Sequence, residues 1–288
     1  MSELTRLEAK YSRYREDSLL TQINHQGLQG VVVDTETKGL LDYAHTAFIE
    51  SNGLFDITSG LFRTIWNFKE QKIPTPLEIE KIRQKVGWQH VTWKSSQLQF
   101  QKEGMEIDLG GIVKEYAADR LYDLLHQQGI RHGLIDLGGD IRVIGPHPDG
   151  RPWNIGISDP AQPSSARMTL QLTTGAVTTS GQYQRGFIYK NRRYGHLIHP
   201  KTGWPVTGLL SATVIAPRCL VAGSLTSIAI LKGYPKGHRW LDSMDIPYVL
   251  ITDQNKLYQN LAPNDKNSQY SQKAHKKSKA LIQAAPCS

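Results

Sequence analysis

The sequence predicts an α+β fold of mixed, mainly antiparallel sheets flanked by helices. Two observations carry this. Helical spacing is confined to the first half and to a stretch near the end, and the middle, from Gly133 to Ala216, is a run of short strand-like segments interrupted by glycines. A parallel βαβ design would alternate the two patterns throughout, and the chain shows no internal repeat of fixed period. With 288 residues, 39% of them apolar, the chain is long enough to bury a substantial core.

The elements follow in order. Leu4, Leu7 and Tyr11 recur at helical spacing, so the stretch from Glu3 to Asn24 reads as a helix followed by a cap-rich turn at Tyr14-Arg15-Glu16-Asp17-Ser18. A second helix is expected over Ala44 to Asn52, ended by Gly53. A third runs from Thr75 to Val86, because Pro76 suits a first turn and Gly87 a terminus. Val91-Thr92-Trp93 and Leu98-Gln99-Phe100 flank a polar turn and predict a hairpin. The next helix starts after Gly110-Gly111 and carries Ala117, Leu121 and Leu125 to Gly129. Strands are expected within 134–145, 153–157, 168–180, 186–194 and 211–216, then a helix from Val221 to Leu231 and a closing strand at Tyr248 to Ile251. Residues 1–263 are thus expected to form the folded domain. Residues 264–288, rich in Lys, Ser and Gln, read as a disordered tail.

Charge and cysteine content narrow the function classes. Part of the net charge of +8 sits in that tail, at Lys266, Lys273, Lys276, Lys277 and Lys279. The positive balance of the body suits a polyanionic small ligand, and no nucleic-acid module with interleaved aromatics is present. Two cysteines support neither a disulfide framework nor a thiolate cage, and Cys219 in its apolar setting reads as a small core residue. No apolar run reaches the roughly 20 residues of a membrane-spanning helix, and the first residues lack a signal core, so the chain as written is expected to be cytoplasmic.

Four segments carry chemistry. In Asp108-Leu109-Gly110-Gly111-Ile112-Val113-Lys114 a strand end runs through two glycines into a helix, which puts free backbone N–H groups beside a carboxylate and an ammonium and suits an anion. Asp136-Leu137-Gly138-Gly139-Asp140 either cradles a ligand or marks a bulge. Thr178-Thr179-Ser180-Gly181-Gln182-Tyr183-Gln184-Arg185 reads as a hydroxyl-rich turn suited to phosphate oxygens. His196 and His199 stand three apart, but Pro200 and Gly203 place them in a loop with no third histidine or cysteine nearby, which argues against zinc. No Gly-x-Ser-x-Gly elbow supports a serine hydrolase.

In this order, the segments resemble the ApbE-type FAD:protein FMN transferase family up to about residue 255. The resemblance also rests on Ser12-Arg13-Tyr14 with Ser18 and Asn24, on Gly53-Leu54-Phe55-Asp56-Ile57-Thr58-Ser59-Gly60, and on His196 with Ile198, Pro200, Thr202 and Gly203. It implies an ApbE-like, T-fold-like architecture. It further implies an enzyme that takes FAD with Mg²⁺ and moves FMN onto a Thr or Ser hydroxyl of a target flavoprotein, releasing AMP. By position, Tyr14 would stack on the flavin, Phe55 and Asp56 would line the FAD pocket, Asp108 and Lys114 would contact FAD, and Ile198 would pack on it. The Gly111 carbonyl would be a metal ligand, and His196 is the candidate for proton transfer.

Three departures stand out. The family's metal-holding Ala-Asp pair, with a Thr four residues after the Asp, reads here Ala222-Gly223-Ser224-Leu225-Thr226-Ser227. Thr226 and Ser227 keep hydroxyls for the metal, but Gly223 offers no carboxylate, and His199 replaces an acidic residue. The sequence therefore leaves two readings, an active transferase or an FAD-binding protein whose transferase activity is weakened or lost. The family's first strand is also absent from the front end; a start lying upstream with an export signal would make the protein periplasmic or membrane-anchored.

Overall fold

The computed structural model describes residues 3–162, 164–183, 185–261 and 279–286. Its contacts divide the chain into two compact units, one comprising 1–113, 184–206 and 283–287, the other 114–183 and 207–282 with residue 288. Among the described residues, no helix is long and apolar enough to cross a membrane.

The first unit begins with two helices, α1 (Glu3–Tyr11) and α2 (Leu19–Gln26), where one helix and a turn were expected. Ser18 causes the restart, because its side chain accepts the N–H of Thr21 and caps α2. A three-stranded antiparallel sheet has the order β1 (Val31–Val32), β3 (Gln97–Phe100), β2 (Val91–Lys94), so the expected hairpin is present with one added edge. Helix α3 (Thr35–Glu50) starts nine residues before the expected Ala44. Asp34 caps it by accepting the N–H of Thr37, and Leu40, Leu41 and Tyr43 are fully buried. Helix α4 (Pro76–Arg83) opens with a capping box between Thr75 and Glu78. A 3-10 turn (Ser59–Thr64) and a hairpin of β9 (Gly186–Tyr189) and β10 (Arg192–Gly195) supply Leu61, Phe62, Phe187 and Tyr194 to one apolar cluster around Trp66.

In the second unit, β4 (Gly133–Leu137), β5 (Asp140–Gly145), β8 (Gly175–Gly181), β11 (Leu209–Ala216), β12 (Tyr248–Thr252) and β13 (Leu257–Gln259) form one antiparallel sheet in the order β13-β12-β11-β8-β5-β4. Its two faces differ. One packs Val143, Val177, Ile215 and Val249 against Ile155, Ile157, Leu170 and Leu172 of the β6 (Trp153–Ser158) and β7 (Ala166–Leu172) hairpin. The other face carries Ile135, Ile144 and Ala176, which pack on Ala118 of α5 (Val113–Gln127) and Cys219 of α6 (Cys219–Lys232). Period-two alternation therefore turns Asp140, Thr178 and Ser180 toward the helices. Helix α7 (Lys236–Met244) and strand β13 were not foreseen, and Cys219 is the buried core residue expected.

Most of the presumed tail lies outside the described residues. Residues 279–284 depart from it, forming a short helix α8 (Lys279–Ala284); Leu281 and Ala285, four apart, are buried, a spacing that the composition of the tail obscured.

Candidate active site

On the first unit, three motifs distant in sequence converge on Asp108. Its backbone N–H donates to the carbonyl of Ile57 (2.7 Å), which ties it to the segment beginning at Phe55. A side chain at Gly60 would place its Cβ 2.4 Å from Asp108 Cβ, so a glycine is needed where the two segments cross. The Asp108 carboxylate then accepts from the guanidinium of Arg13 and from the N–H of Gly110 (2.9 Å). Arg13 also lies over the ring of Tyr14, 4.9 Å from its centroid, and donates to its hydroxyl (2.8 Å). Tyr14 is 83% exposed, so one aromatic face is open beside the Asp108–Arg13 pair. Gly111 is exposed, and a Cβ there would meet nothing within 4 Å. The helix entrance is open to a ligand.

Asp56 braces its own segment. Its Oδ1 accepts from the N–H and hydroxyl of Thr58 (2.9 and 2.6 Å) and its Oδ2 from the N–H of Trp88 (3.0 Å), so the buried carboxylate holds the turn. Burial raises its pKa above the usual carboxylate value against the opposing pull of the Thr58 and Trp88 bonds. Phe55 is buried beside it, and Ser51 Oγ accepts its N–H (2.8 Å). Ile198 is half-buried and packs on the Trp66 cluster.

His196 follows β10. Its N–H donates to the Arg185 carbonyl, and its Nδ1 stands 3.1 Å from the same oxygen. With Nδ1 donating, Nε2 is the acceptor of the ring. Burial pushes the pKa of the imidazole below its usual value, which keeps that acceptor neutral. His199 is turned to its own loop, where Nδ1 accepts the N–H of Lys201 (3.2 Å).

On the second unit, the oxygen-rich set lies between the sheet and its two helices. The segment 178–181 is strand, as the expectation over 168–180 had it, and not the hydroxyl-rich turn: Thr179 bonds Thr213 across the strands (2.9 Å), and Ser180 faces α6. Ser180 Oγ stands 2.8 Å from Thr226 Oγ1 and 3.4 Å from Ser227 Oγ, while Thr226 donates to the Gly223 carbonyl (2.8 Å). The two glycines between β4 and β5 make a two-residue hairpin loop with φ of 64° and 90°, a primed turn that only glycine adopts freely, and it delivers Asp140 at the start of β5. Lys114 Nζ lies 2.6 Å from Asp140 Oδ2, within ion-pair reach.

Glu115, the next residue on α5, was not foreseen. It is 8% exposed, and its Oε2 has no hydrogen-bond partner. Burial, and then the neighbouring Asp140 carboxyl, push its pKa up to about 7. Asp140 is raised too, by burial against the pull of Lys114. A signal existed, since Glu115, Asp119 and Tyr122 share one helical stripe with Ala118, and carboxylates on a buried stripe call for partners. Asp119 has them: its carboxylate accepts the N–H groups of Cys219 and Leu220 (2.9 and 3.0 Å), capping α6 and fixing where Gly223 and Thr226 stand.

Among the described residues, no group of three or more His, Cys, Asp or Glu could hold a metal. The second unit nevertheless offers an all-oxygen donor set with orphaned buried oxygens at Glu115 Oε2 and Thr178 Oγ1. Such a set fits Mg²⁺, which binds few protein groups and completes its shell with phosphates and water.

The second unit, an antiparallel sheet with α5 and α6 on one face and an oxygen-rich set between them, is of the α+β class. The ApbE family matches residues 1–250, and the chain belongs to it. A FAD:protein FMN transferase of Vibrio cholerae is 29% identical over 255 residues, 86% of this chain and 76% of that protein, and one from Treponema pallidum is 31% identical, covering 81% and 70%. Among solved structures, the ApbE protein of Thermotoga maritima superposes with a TM-score of 0.82 at 30% identity, covering 88% of this chain and 85% of that one. The Vibrio cholerae flavin transferase ApbE gives 0.76 at 28% identity, covering 89% and 85%. The expected fold class and family are those of the relatives.

Proposed function

We propose that this chain is a FAD:protein FMN transferase, moving FMN from FAD to a Thr or Ser hydroxyl of a target flavoprotein. The observation that carries the reading is the convergence of residues 12–14, 55–60 and 108–111 on Asp108, in a chain whose relatives bear that activity by name. The open face of Tyr14 suits an isoalloxazine ring, with Asp108 and Arg13 beside it for polar groups of FAD, and Phe55, Asp56 and Ile198 shaping the wall.

The acceptor oxygen forms a bond to the phosphorus on the FMN side, the pyrophosphate P–O bond breaks, and AMP leaves with the bridging oxygen. The hydroxyl proton goes to a base, for which His196 is the candidate; its Nδ1 faces the Arg185 carbonyl, and burial favours the neutral ring. Mg²⁺, when bound, supplies charge neutralisation at the pyrophosphate. The Gly111 carbonyl and Ser227 match the family's ligand positions, Thr226 adds a second hydroxyl beside Ser227, and Lys114, held by Asp140, contributes a cation for the phosphates.

The alternative, FAD binding without transfer, rests on the missing side chain at Gly223. Purified protein incubated with FAD, Mg²⁺ and an acceptor flavoprotein domain separates the two: covalent FMN on the acceptor, read by mass, supports transfer, and FAD binding without an adduct supports the alternative.

A further inference from the structure

We propose that Glu115 is a magnesium ligand of this chain, its carboxylate standing in the space that Gly223 leaves open; the inference deepens the magnesium-dependent reading above and rests on it. A Cβ at position 223 would lie 2.6 Å from Glu115 Cγ, 3.1 Å from Cδ and 2.9 Å from Oε1. The Glu115 side chain therefore already fills the volume that a residue-223 side chain would need. Glycine at 223 and glutamate at 115 are one arrangement, with the carboxyl delivered from α5 instead of α6.

Three further observations point the carboxyl at a cation. Glu115 is buried and its Oε2 has no partner, an arrangement that costs free energy unless something positive or donating arrives. Beside it stands the Asp140 carboxyl, which also accepts the N–H of Thr179. Thr178, independently, is 1% exposed and presents a second orphaned oxygen, Oγ1, on the same face of β8 as Ser180. Helix α5 begins two residues before Glu115, so the backbone there is fixed and the carboxyl is held in place before any metal arrives.

A purely structural Glu115 would be a carboxylic acid sharing its proton with Asp140 and indifferent to metal. The two roles separate by direct metal binding to the full chain, using Mn²⁺ alone followed by electron paramagnetic resonance, with Mg²⁺ as competitor. Flavin fluorescence of added FAD without metal is read in parallel, so that loss of the flavin reading itself would be visible. Glu115→Gln keeps the volume and removes the charge. It should weaken Mn²⁺ binding by about tenfold or more, the scale on which even supporting contacts to a metal register, with metal-free FAD binding unchanged. The paired substitution Glu115→Gly with Gly223→Asp returns a carboxylate from α6 and should restore Mn²⁺ binding toward the wild-type value. Equal Mn²⁺ affinity in wild type and Glu115→Gln, or no Mn²⁺ binding by the wild type, overturns the proposal. Should Glu115→Gln fail to fold, a folded paired variant that does not bind Mn²⁺ overturns it instead.

Discussion

The Glu115 side chain occupies the position where any side chain at Gly223 would have to stand, with 2.6 Å between Glu115 Cγ and a Cβ built at 223. The family's aspartate therefore cannot simply be put back. Gly223→Asp alone should lower stability by ~1–3 kcal/mol through overpacking, and Glu115→Gly in the same chain should recover most of it. Denaturant midpoints of the two variants check this, and an unperturbed single variant would show that Glu115 swings aside freely.

Gly60→Ala brings a methyl within 2.4 Å of Asp108 Cβ and should displace the carboxylate from Arg13 and Gly110. FAD affinity should fall for this variant and for Asp108→Ala, measured by flavin fluorescence. Retained affinity in both would remove Asp108 from the flavin site.

His196 acts as a base only when neutral, and burial lowers its pKa from 6.5. The acid limb of the transfer rate should then lie below pH 6.5, with activity lost as pH falls through the lowered pKa. His196→Gln should reduce the rate ~10²–10⁴-fold and abolish that limb. A variant with the wild-type pH profile would exclude the role.

Asp119 caps the first turn of α6 and lies 3.3 Å from Arg142 Nε in a buried setting. Asp119→Ala leaves Arg142 without its carboxylate and two helix N–H groups unsatisfied, and should cost ~3–5 kcal/mol in a thermal or denaturant melt. Because the cap sets the position of Thr226, Mn²⁺ binding should weaken with it.

Near the start of the chain, burial alone would raise the pKa of Glu36, but hydrogen bonds from Arg6 and Lys10 bring it down to about 2. The folded pKa lies below the ordinary value of 4.5, so this contribution to stability is complete above about pH 4.5 and is lost as pH falls toward 2. Glu36→Gln should flatten that part of the acid unfolding curve. An unchanged curve would mean that Arg6 and Lys10 hold Glu36 equally well in the unfolded chain.

Much of this was legible in the residues. Gly110-Gly111 before an amphipathic run marked the α5 entrance, and the Val91 to Phe100 hairpin and the closing strand stand where their patterns put them. What escaped was long-range. Thr178 to Ser180 read both as the end of a strand and as part of a hydroxyl-rich turn, and cross-strand pairing with β11 decided for the strand. Asp56 looked like a ligand contact, and only the approach of Trp88 from 32 residues away shows its carboxylate in use. Glu115 could not be paired with Gly223, more than a hundred residues on, until α5 and α6 were seen packed on one sheet face. The altered motif read as a missing carboxylate because Glu115, which stands where a side chain at 223 would stand, lies on another helix.

Transfer is measured directly by the mass of an acceptor flavoprotein domain after incubation with this protein, FAD and Mg²⁺. Covalent FMN is expected on a Thr or Ser of the acceptor, dependent on Mg²⁺ and diminished in Glu115→Gln. Bound FAD with no covalent FMN at any Mg²⁺ concentration would contradict it.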